Sequence, residues 1–196
     1  EQGVADIGAM MTLTTAETHK LKEHILDLGL DPNLKVSATE ASEAVMALGT
    51  AGLSLTQIMG GASEATVLLA NATGGDFGDA AHIATDVMAQ FNITASNMSA
   101  AVDQIVGVTV ASKFSINDIA LAYGQAGGVA GAVGITFQDF NADIAATASS
   151  FNSGSDAATS YKTFVQRLVP TTTEATTKMI ELGLATADGT SKFFDA

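Results

Sequence analysis

Residues 77–91 read FGDAAHIATDVMAQF, and this stretch decides the fold class. Its apolar residues recur every three or four positions, the spacing that places side chains on one stripe of an α-helix. The stripe consists of Phe77, Ala80, Ala81, Ala84, Val87, Met88 and Phe91. Because three of these residues are alanines, we expect the helix to pack through small side chains.

The same spacing recurs on both sides of this helix. Four further stripes are Leu21, Ile25 and Leu28; Ile119, Ala122, Tyr123, Ala126, Val129, Ala130 and Val133; Phe137, Phe140, Ile144, Ala148 and Phe151; and Ala158, Tyr161, Val165 and Leu168. Gly29 and Pro170 are predicted to end two of these helices. Residues 105–110 (IVGVTV) are rich in β-branched side chains, but they continue a helical stripe and are predicted as helix.

Hydroxyl-bearing residues mark the predicted helix starts. Ser37 with Glu40 forms a capping box, in which the hydroxyl accepts a backbone N–H and the carboxylate reaches back. Looser versions of this pattern are Ser54 with Gln57, Thr94 with Asn97, Ser115 with Asp118 and Thr136 with Asp139. These starts share a signal but show no fixed period, so the sequence does not indicate a solenoid.

The 196 residues therefore predict an all-α fold, a compact domain of about nine to ten short helices with an alanine- and glycine-rich core. No linker rich in proline or serine divides the chain. Residues 1–35 are predicted as a lead-in helical segment, and residues 36–196 as one domain. The chain starts at Glu1 in mid-pattern, which we expect of a piece of a longer protein.

The charge balance argues against several classes of partner. There are 21 acidic and 8 basic residues, and no Lys or Arg lies between Val36 and Ser112. Because nucleic acids and anionic membranes attract basic faces, direct binding to either is disfavoured. The acidity keeps a domain with few charges soluble. The absence of cysteine excludes disulfides, thiolate metal sites and a cysteine nucleophile.

The three histidines give no clear metal site. His19 and His24 are five residues apart, so on a helix they point about 140° away from each other, and we interpret both as solvated surface residues. His82 shares a predicted helix face with Asp79 and Asp86. Such a cluster is a candidate divalent-metal site. An exposed acidic helix face has the same pattern, and we favour that interpretation.

The acidic and hydroxyl residues likewise favour structural roles. No G-x-S-x-G nucleophile elbow occurs, and Ser153, in FNSGSD, precedes a predicted helix. Glu40 with Glu43 and Asp76 with Asp79 fall at predicted helix N-termini, where acids complement the helix dipole. No catalytic, cofactor-binding or metal-binding residue is predicted, and no cofactor.

The glycine pairs and the basic residues are likewise interpreted as structural rather than functional. Residues 60–61 and 74–75 are predicted as loops, and neither pair is followed by the lysine of a phosphate-binding loop. Arg167, the one arginine, and Lys162 are expected on the exposed side of their helix, where a cation near the C-terminus is favourable. A buried ion pair of Arg167 is the alternative.

The stretch from Ile119 to Gln138 carries no charge and approaches the length of a membrane span. It contains five glycines, and the spacings Gly124/Gly128 and Gly127/Gly131 allow another backbone to come close. We interpret it as a buried helix pair in a small-residue core. A membrane-active segment is the alternative.

The order of several short phrases resembles the conserved minor-tail domain of the phage tail tape measure protein family. The phrases are residues 52–54 (GLS), 91–93 (FNI), 102–103 (VD), 134–136 (GIT), 168–170 (LVP) and 182–189 (LGLATADG). The resemblance covers about residues 36–190. Asn92, where glycine is common in the family, and the serine-rich loop 151–157 depart from the pattern and leave the subfamily open.

The resemblance implies a virion structural and assembly protein without enzymatic activity. Such a segment belongs to the chain that sets tail length in the tube lumen and takes part in DNA ejection. The implied partners are the tail tube protein, tail tip or baseplate hub proteins, tail assembly chaperones and further copies of the chain, with host membrane contact during ejection. The implied locations are the virion tail and, during assembly, the host cytoplasm. A membrane-active pore-forming module and a wall-degrading enzyme domain are the alternatives.

Overall fold

The computed structural model describes residues 2–194, and within them it contains ten helices and no β-strand. The predicted all-α fold is confirmed, including the helix over residues 105–110. A single antiparallel bridge pairs Ala185 with Ser191. Alanines contribute much of the buried surface throughout this range, as the composition predicts.

The helices are numbered here in chain order. Six keep one helix type: α1 (Gln2–Met10), α2 (Thr15–Leu30), α3 (Ala38–Thr50), α5 (Phe77–Phe91), α9 (Gly154–Leu168) and α10 (Thr173–Glu181). Two contain a π-helical turn: α4 (Leu55–Gln57, π turn Ile58–Ala62, Ser63–Thr73) and α7 (Ile116–Ala122, π turn Tyr123–Gly127, Gly128–Ala132). Two contain a 3₁₀ turn: α6 (3₁₀ Ala95–Asn97, Met98–Ala111) and α8 (Phe137–Thr147, 3₁₀ Ala148–Ser150).

Most predicted helix starts are correct. Side-chain caps form at Ser37, Ser54, Ser115 and Thr136. Thr94 is the exception, because its hydroxyl lies 3.1 Å from the Ser96 hydroxyl and makes no capping bond. A complete capping box at the start of α2, where Thr14 pairs with Glu17, was not predicted.

The chain forms two compact units, Glu1–Val110 with α1 to α6 and Ala111–Ala196 with α7 to α10. The predicted division into a lead-in segment (residues 1–35) and a family domain (residues 36–196) is a separate matter from these units, and it stays a prediction. In the first unit, α1 and α2 pack directly on α3, so residues before this division share a core with residues after it.

α3 lies at the centre of the first unit. Its residues Ala41, Ala44, Val45 and Leu48 are fully buried, and the helix packs against α1, α2, α4 and α5. Side chains this small let several helices approach one another closely, and their removal from water supplies the main stabilising term.

Gly29 serves a different purpose from the predicted one. α2 continues through Leu30, so Gly29 lies inside the last turn rather than after it. A Cβ at Gly29 would lie 2.6 Å from the backbone nitrogen of Ala38. The residue is therefore explained by the close passage of α3, a long-range contact that the local pattern does not contain.

The prediction that Gly60 and Gly61 lie in a loop is also wrong, because both residues lie in the π turn of α4. Gly61 has a φ of +122°, a conformation that L side chains rarely adopt, and a Cβ there would lie 2.8 Å from the Ala95 carbonyl oxygen. Both constraints require glycine. The other predicted loop pair is correct, since Gly74 ends α4 in the left-handed conformation.

In the second unit, α9 packs tightly against α7. A Cβ at Gly154 would lie only 2.0 Å from the carbonyl oxygen of Asp118, and the Gly154 N–H donates to Oδ1 of Asp118 at 2.9 Å. This hydrogen bond is the largest cause of the lowered pKa of Asp118. α9 ends at Leu168, before Pro170, as predicted.

Candidate functional site

The two histidines of α2 have different surroundings. His19 is exposed, and its Nδ1 lies 3.5 Å from Oε1 of Glu23, one turn further along the helix. His24 is half-buried, and its Nε2 lies 2.7 Å from Oγ of Ser63 in α4. The interpretation as a surface residue is confirmed for His19 and wrong for His24, because Ser63 of α4 lies against the His24 ring.

The direction of the hydrogen bond between His24 and Ser63 follows from the partners of the hydroxyl. Ser63 donates its one hydrogen to the carbonyl oxygen of Ile58, 2.9 Å away. His24 must then donate from Nε2, so the neutral ring carries its proton on that nitrogen. The pair joins α2 to α4 at the residue that follows the π turn.

This Ser–His pair has two of the residue types of a nucleophile and its base, but not their arrangement. The base in such a pair accepts the hydroxyl hydrogen, whereas here that hydrogen is held by Ile58 and Ser63 is fully buried. Burial lowers the pKa of His24 from its ordinary value of 6.5, opposed by the nearby carboxylates of Asp27 and Glu64. The pair is therefore a structural link.

The cluster of Asp79, His82 and Asp86 lies on the exposed face of α5. Within residues 2–194 no group of three His, Asp or Glu side chains is placed to hold a metal ion. The metal interpretation therefore finds no support in this part of the chain, and the cluster has the placement of a solvated helix face.

Three of the residues considered for chemistry, Ser153, Asp76 and Glu40, are placed where they serve a helix start. Ser153 is the N-cap of α9, and its Oγ accepts the N–H of Asp156 at 3.1 Å. Asp76 accepts two backbone N–H groups at the start of α5. Hydrogen bonds from Ser37 lower the pKa of Glu40, which is the expected result for a carboxylate in a capping box.

The cations lie on the helix that the sequence indicates. Arg167 is exposed in the last turn of α9, which confirms the predicted position near the helix C-terminus. The alternative of a buried ion pair is wrong for this residue. Lys162 is partly covered, one and a half turns earlier on α9.

The charge-free stretch from Ile119 to Gln138 is divided between α7 and the start of α8. Its apolar residues Ile119, Tyr123 and Ala126 are buried, as predicted. The expected close approach at Gly124 and Gly128 is wrong, because both are exposed and a Cβ on either would meet no atom within 4 Å.

No single helix within residues 2–194 has the length and apolarity needed to cross a membrane. The consecutive helices Ala95–Ala111 and Ile116–Ala132 meet that requirement only when they are counted together, across the break that separates them.

A buried aromatic cluster in the second unit was not predicted as a cluster. Tyr123 is fully buried, and its hydroxyl donates to Oδ1 of Asn141 at 2.7 Å. Its ring lies 5.7 Å from Phe137 and 5.8 Å from Phe140, and the Tyr161 ring meets the edge of Phe140 at 5.3 Å. Burial raises the pKa of both tyrosines. The predicted helical stripes include these residues, but the stripes do not indicate which helices contact one another.

An open apolar groove runs along α9 in this unit. Two adjoining hollows of about 290 and 310 Å³ share Asp143, Tyr161 and Phe164 in their walls. Phe164 is 59% exposed although it is a large apolar side chain. The Tyr161 hydroxyl donates to Oδ2 of Asp143 at 3.0 Å. Two carboxylates, Asp139 and Asp143, lie in its walls, and they accept from the hydroxyls of Thr136 and Tyr161. An otherwise apolar groove whose carboxylates are held in this way is suited to protein contact rather than to acid–base chemistry.

Comparison with known proteins gives a family. The family described as phage-related minor tail protein matches residues 22–196. The tape measure protein of Pneumococcus phage Dp-1 is 25% identical to this chain over 182 residues, which are 93% of this chain and 16% of that protein. The chain therefore spans about a sixth of this curated relative. No solved structure matches the chain.

Proposed function

Since this chain belongs to the phage-related minor tail protein family, and has a structural role in a phage tail, we propose that it is a folded segment of a tape measure protein. In this role it is part of the chain that lies in the tail tube lumen, sets tail length and takes part in genome ejection. The observation that carries the proposal is the match to the Dp-1 tape measure protein along 93% of this chain.

The division of the chain into short helices limits its own contribution to tail length. A continuous helix advances 1.5 Å per residue, so 196 residues in one helix would span about 290 Å. Residues 2–194 are instead divided among ten helices, which pack within two compact units. The segment therefore supplies contact surfaces within a longer measuring chain.

The proposed partners are proteins that meet such surfaces. They are the tail tube protein, the tail tip or baseplate hub proteins, the tail assembly chaperones and other copies of the chain. The absence of Lys and Arg between Val36 and Ser112 supports a place beside DNA, because an acidic chain does not adhere to the genome that shares the channel. The proposed locations are the virion tail and the host cytoplasm during assembly.

Deletion of residues 36–196 from the gene of the parent phage tests this function. We expect tails that are absent or of altered length in electron micrographs, and loss of infectivity. The matched control is Leu121→Ser, which alters a half-exposed side chain and should leave tail length unchanged. Tails of normal length that eject DNA normally without the segment would contradict the proposal.

Two assays on the purified chain separate the alternative functions. A wall-degrading enzyme would release soluble fragments from peptidoglycan, and a pore-forming module would release dye from vesicles containing anionic lipid. We expect neither activity, because Ser153, Asp76 and Glu40 serve helix starts and the chain carries a formal charge of −13.

A further inference from the structure

The helix starts recur at a nearly constant interval. The N-cap residues fall into three series: Ser54, Ser115 and Thr172; Thr14, Asp76 and Thr136; and Ser37, Thr94 and Ser153. Within each series, successive caps are 57 to 62 residues apart. The expectation of no fixed period, drawn from sequence phrases alone, is therefore wrong at the level of helix starts.

This interval divides the chain into three-helix repeats. The first repeat contains α1 to α3, the second α4 to α6 and the third α7 to α9, and α10 occupies the first-helix position of a fourth. The first helices α4 and α7 each contain a π turn, and each buries an isoleucine four residues after its cap, Ile58 and Ile119. The second helices α5 and α8 both begin with Phe-x-Asp, and the dipeptide Phe-Asn stands at the end of α5 (91–92) and directly after α8 (151–152).

The third helix of a repeat uses one side to pack against its own repeat. In α3 this side carries Ser42 and Gly49, which face α1: a Cβ on Gly3 would lie 2.9 Å from the Ser42 hydroxyl, and one on Gly49 would lie 2.8 Å from Met10. In α9 the equivalent side carries Gly154, which meets α7. Both helices therefore have the same orientation within their repeats.

The adjoining side of α3 carries Ala41, Ala44, Val45 and Leu48, which lie 4, 7, 8 and 11 residues after the cap and are fully buried. We assign this side to α4 and α5 of the following repeat, because α1 meets the side with Ser42 and Gly49 and because α5 packs extensively on α3. The equivalent residues of α6, which are Met98, Ala101, Val102 and Ile105, are buried as well.

The same side of α9 is open. Its equivalent residues are Ala157, Ser160, Tyr161 and Phe164. Ser160 and Phe164 are exposed and Tyr161 is half-buried, and together they form one wall of the apolar groove. The positions 7 and 11 residues after the cap are thus buried in α3 and α6 but exposed to water in α9. One of the two exposed residues is a phenylalanine.

α10 indicates the same missing neighbour independently. α4, the equivalent helix of the second repeat, buries residues such as Ile58 and Leu69, whereas α10 buries none of its residues. Ile180, Leu182 and Leu184 at its end are all more than one-third exposed. A first helix without a second helix to pack against has this exposure.

We propose that the groove on α9 is the docking site for the second helix of a further three-helix repeat in the same polypeptide. That helix is amphipathic, like α5 and α8, with a stripe of alanine and larger apolar residues that covers Ser160, Tyr161 and Phe164. The groove then receives this helix in the way that α3 receives α5.

A single introduced cysteine reports this docking, because the chain has no cysteine of its own. The extended protein joins residues 1–193 to a copy of residues 76–110. The copied Asp76 then follows Thr172 by 22 residues, which is the interval between Ser54 and Asp76 in the second repeat. The measured quantity is the rate of thiol labelling of Ser160→Cys, with and without this extension. Gln166→Cys, on the far side of α9, is the matched control.

We expect the extension to slow labelling at position 160 at least about tenfold, because a tethered helix acts at a high effective concentration. Labelling at position 166 should not change. An extension that carries Ala84→Asp and Val87→Asp in the copied helix should restore the fast rate at position 160.

Three results would overturn the proposal. They are an unchanged rate at position 160, equal slowing at both positions, and protection that depends on protein concentration, which would identify a second copy as the occupant. None of them bears on tail length, so this inference and the proposed function can fail separately.

Discussion

α3 and α9 hold the same place in two repeats, but their equivalent sides have opposite environments. Leu48 of α3 is fully buried, whereas Phe164 of α9, at the same distance from its cap, is 59% exposed. Phenylalanine is at least as apolar as leucine, so residue type does not explain the difference. The comparison teaches that burial at this position depends on whether a following helix is present to cover it.

The largest effect expected from this comparison is on stability. Leu48→Ala should lower the free energy of unfolding by about 2–5 kcal/mol, because it leaves a cavity in a close-packed core. Phe164→Ala should lower it by less than about 1 kcal/mol, because much of that side chain is already in water. Urea unfolding followed by circular dichroism measures both values. Equal losses for the two variants would refute the assigned equivalence.

The second prediction concerns the first residue of each helix, Ala38 in α3 and Gly154 in α9. Gly154→Ala should destabilise the chain by about 1–3 kcal/mol, because its Cβ would overlap the carbonyl oxygen of Asp118. In the first unit the glycine of the close contact is on the other helix, so Gly29→Ala should cost a similar amount.

The control for both glycine variants is Gly124→Ala in α7. A Cβ at Gly124 would meet no atom within 4 Å, so this change should be neutral or should stabilise the helix by up to about 1 kcal/mol. Thermal unfolding ranks the three variants. A loss at Gly124 as large as that at Gly154 would show that helix propensity, rather than close packing, determines these glycines.

The smallest expected effect is a pH dependence of the first unit, where His24 links α2 to α4. The pKa of His24 is lowered by burial, so the unfolded chain takes up a proton at a higher pH than the folded chain does. The stabilising contribution is fully present above about pH 6.5 and is lost as the pH falls through the lower folded pKa. We expect His24→Gln to reduce the slope of stability against pH below 6.5. A slope equal to that of the unchanged chain would contradict the link.

The local features of the fold could be predicted from the sequence. Capping needs residues only three positions apart, and so the starts at Ser37, Ser54, Ser115 and Thr136 were readable. Helical stripes such as 77–91 follow from the same short range. These signals were enough to predict about nine to ten helices and an alanine- and glycine-rich core.

The features that were predicted wrongly or not at all depend on contacts between segments distant in sequence. Gly29 is explained by Ala38 and Gly61 by Ala95, and neither partner is indicated by the residues adjacent to the glycine. The repeat was hidden because successive repeats share helix positions rather than residues: Leu48, Ile105 and Phe164 are equivalent, yet all three differ. The groove on α9 could not be predicted, because exposure depends on the arrangement of whole helices.

The most direct test of the repeat is thiol accessibility at two equivalent positions in the 196-residue chain. Ala44→Cys and Ser160→Cys both lie seven residues after a cap, the first buried and the second exposed. We predict that a thiol reagent modifies position 160 rapidly, and position 44 only as fast as the first unit opens, at least about a hundredfold more slowly. Modification of both positions at similar rates under native conditions would contradict the claim that these equivalent sides differ in being covered.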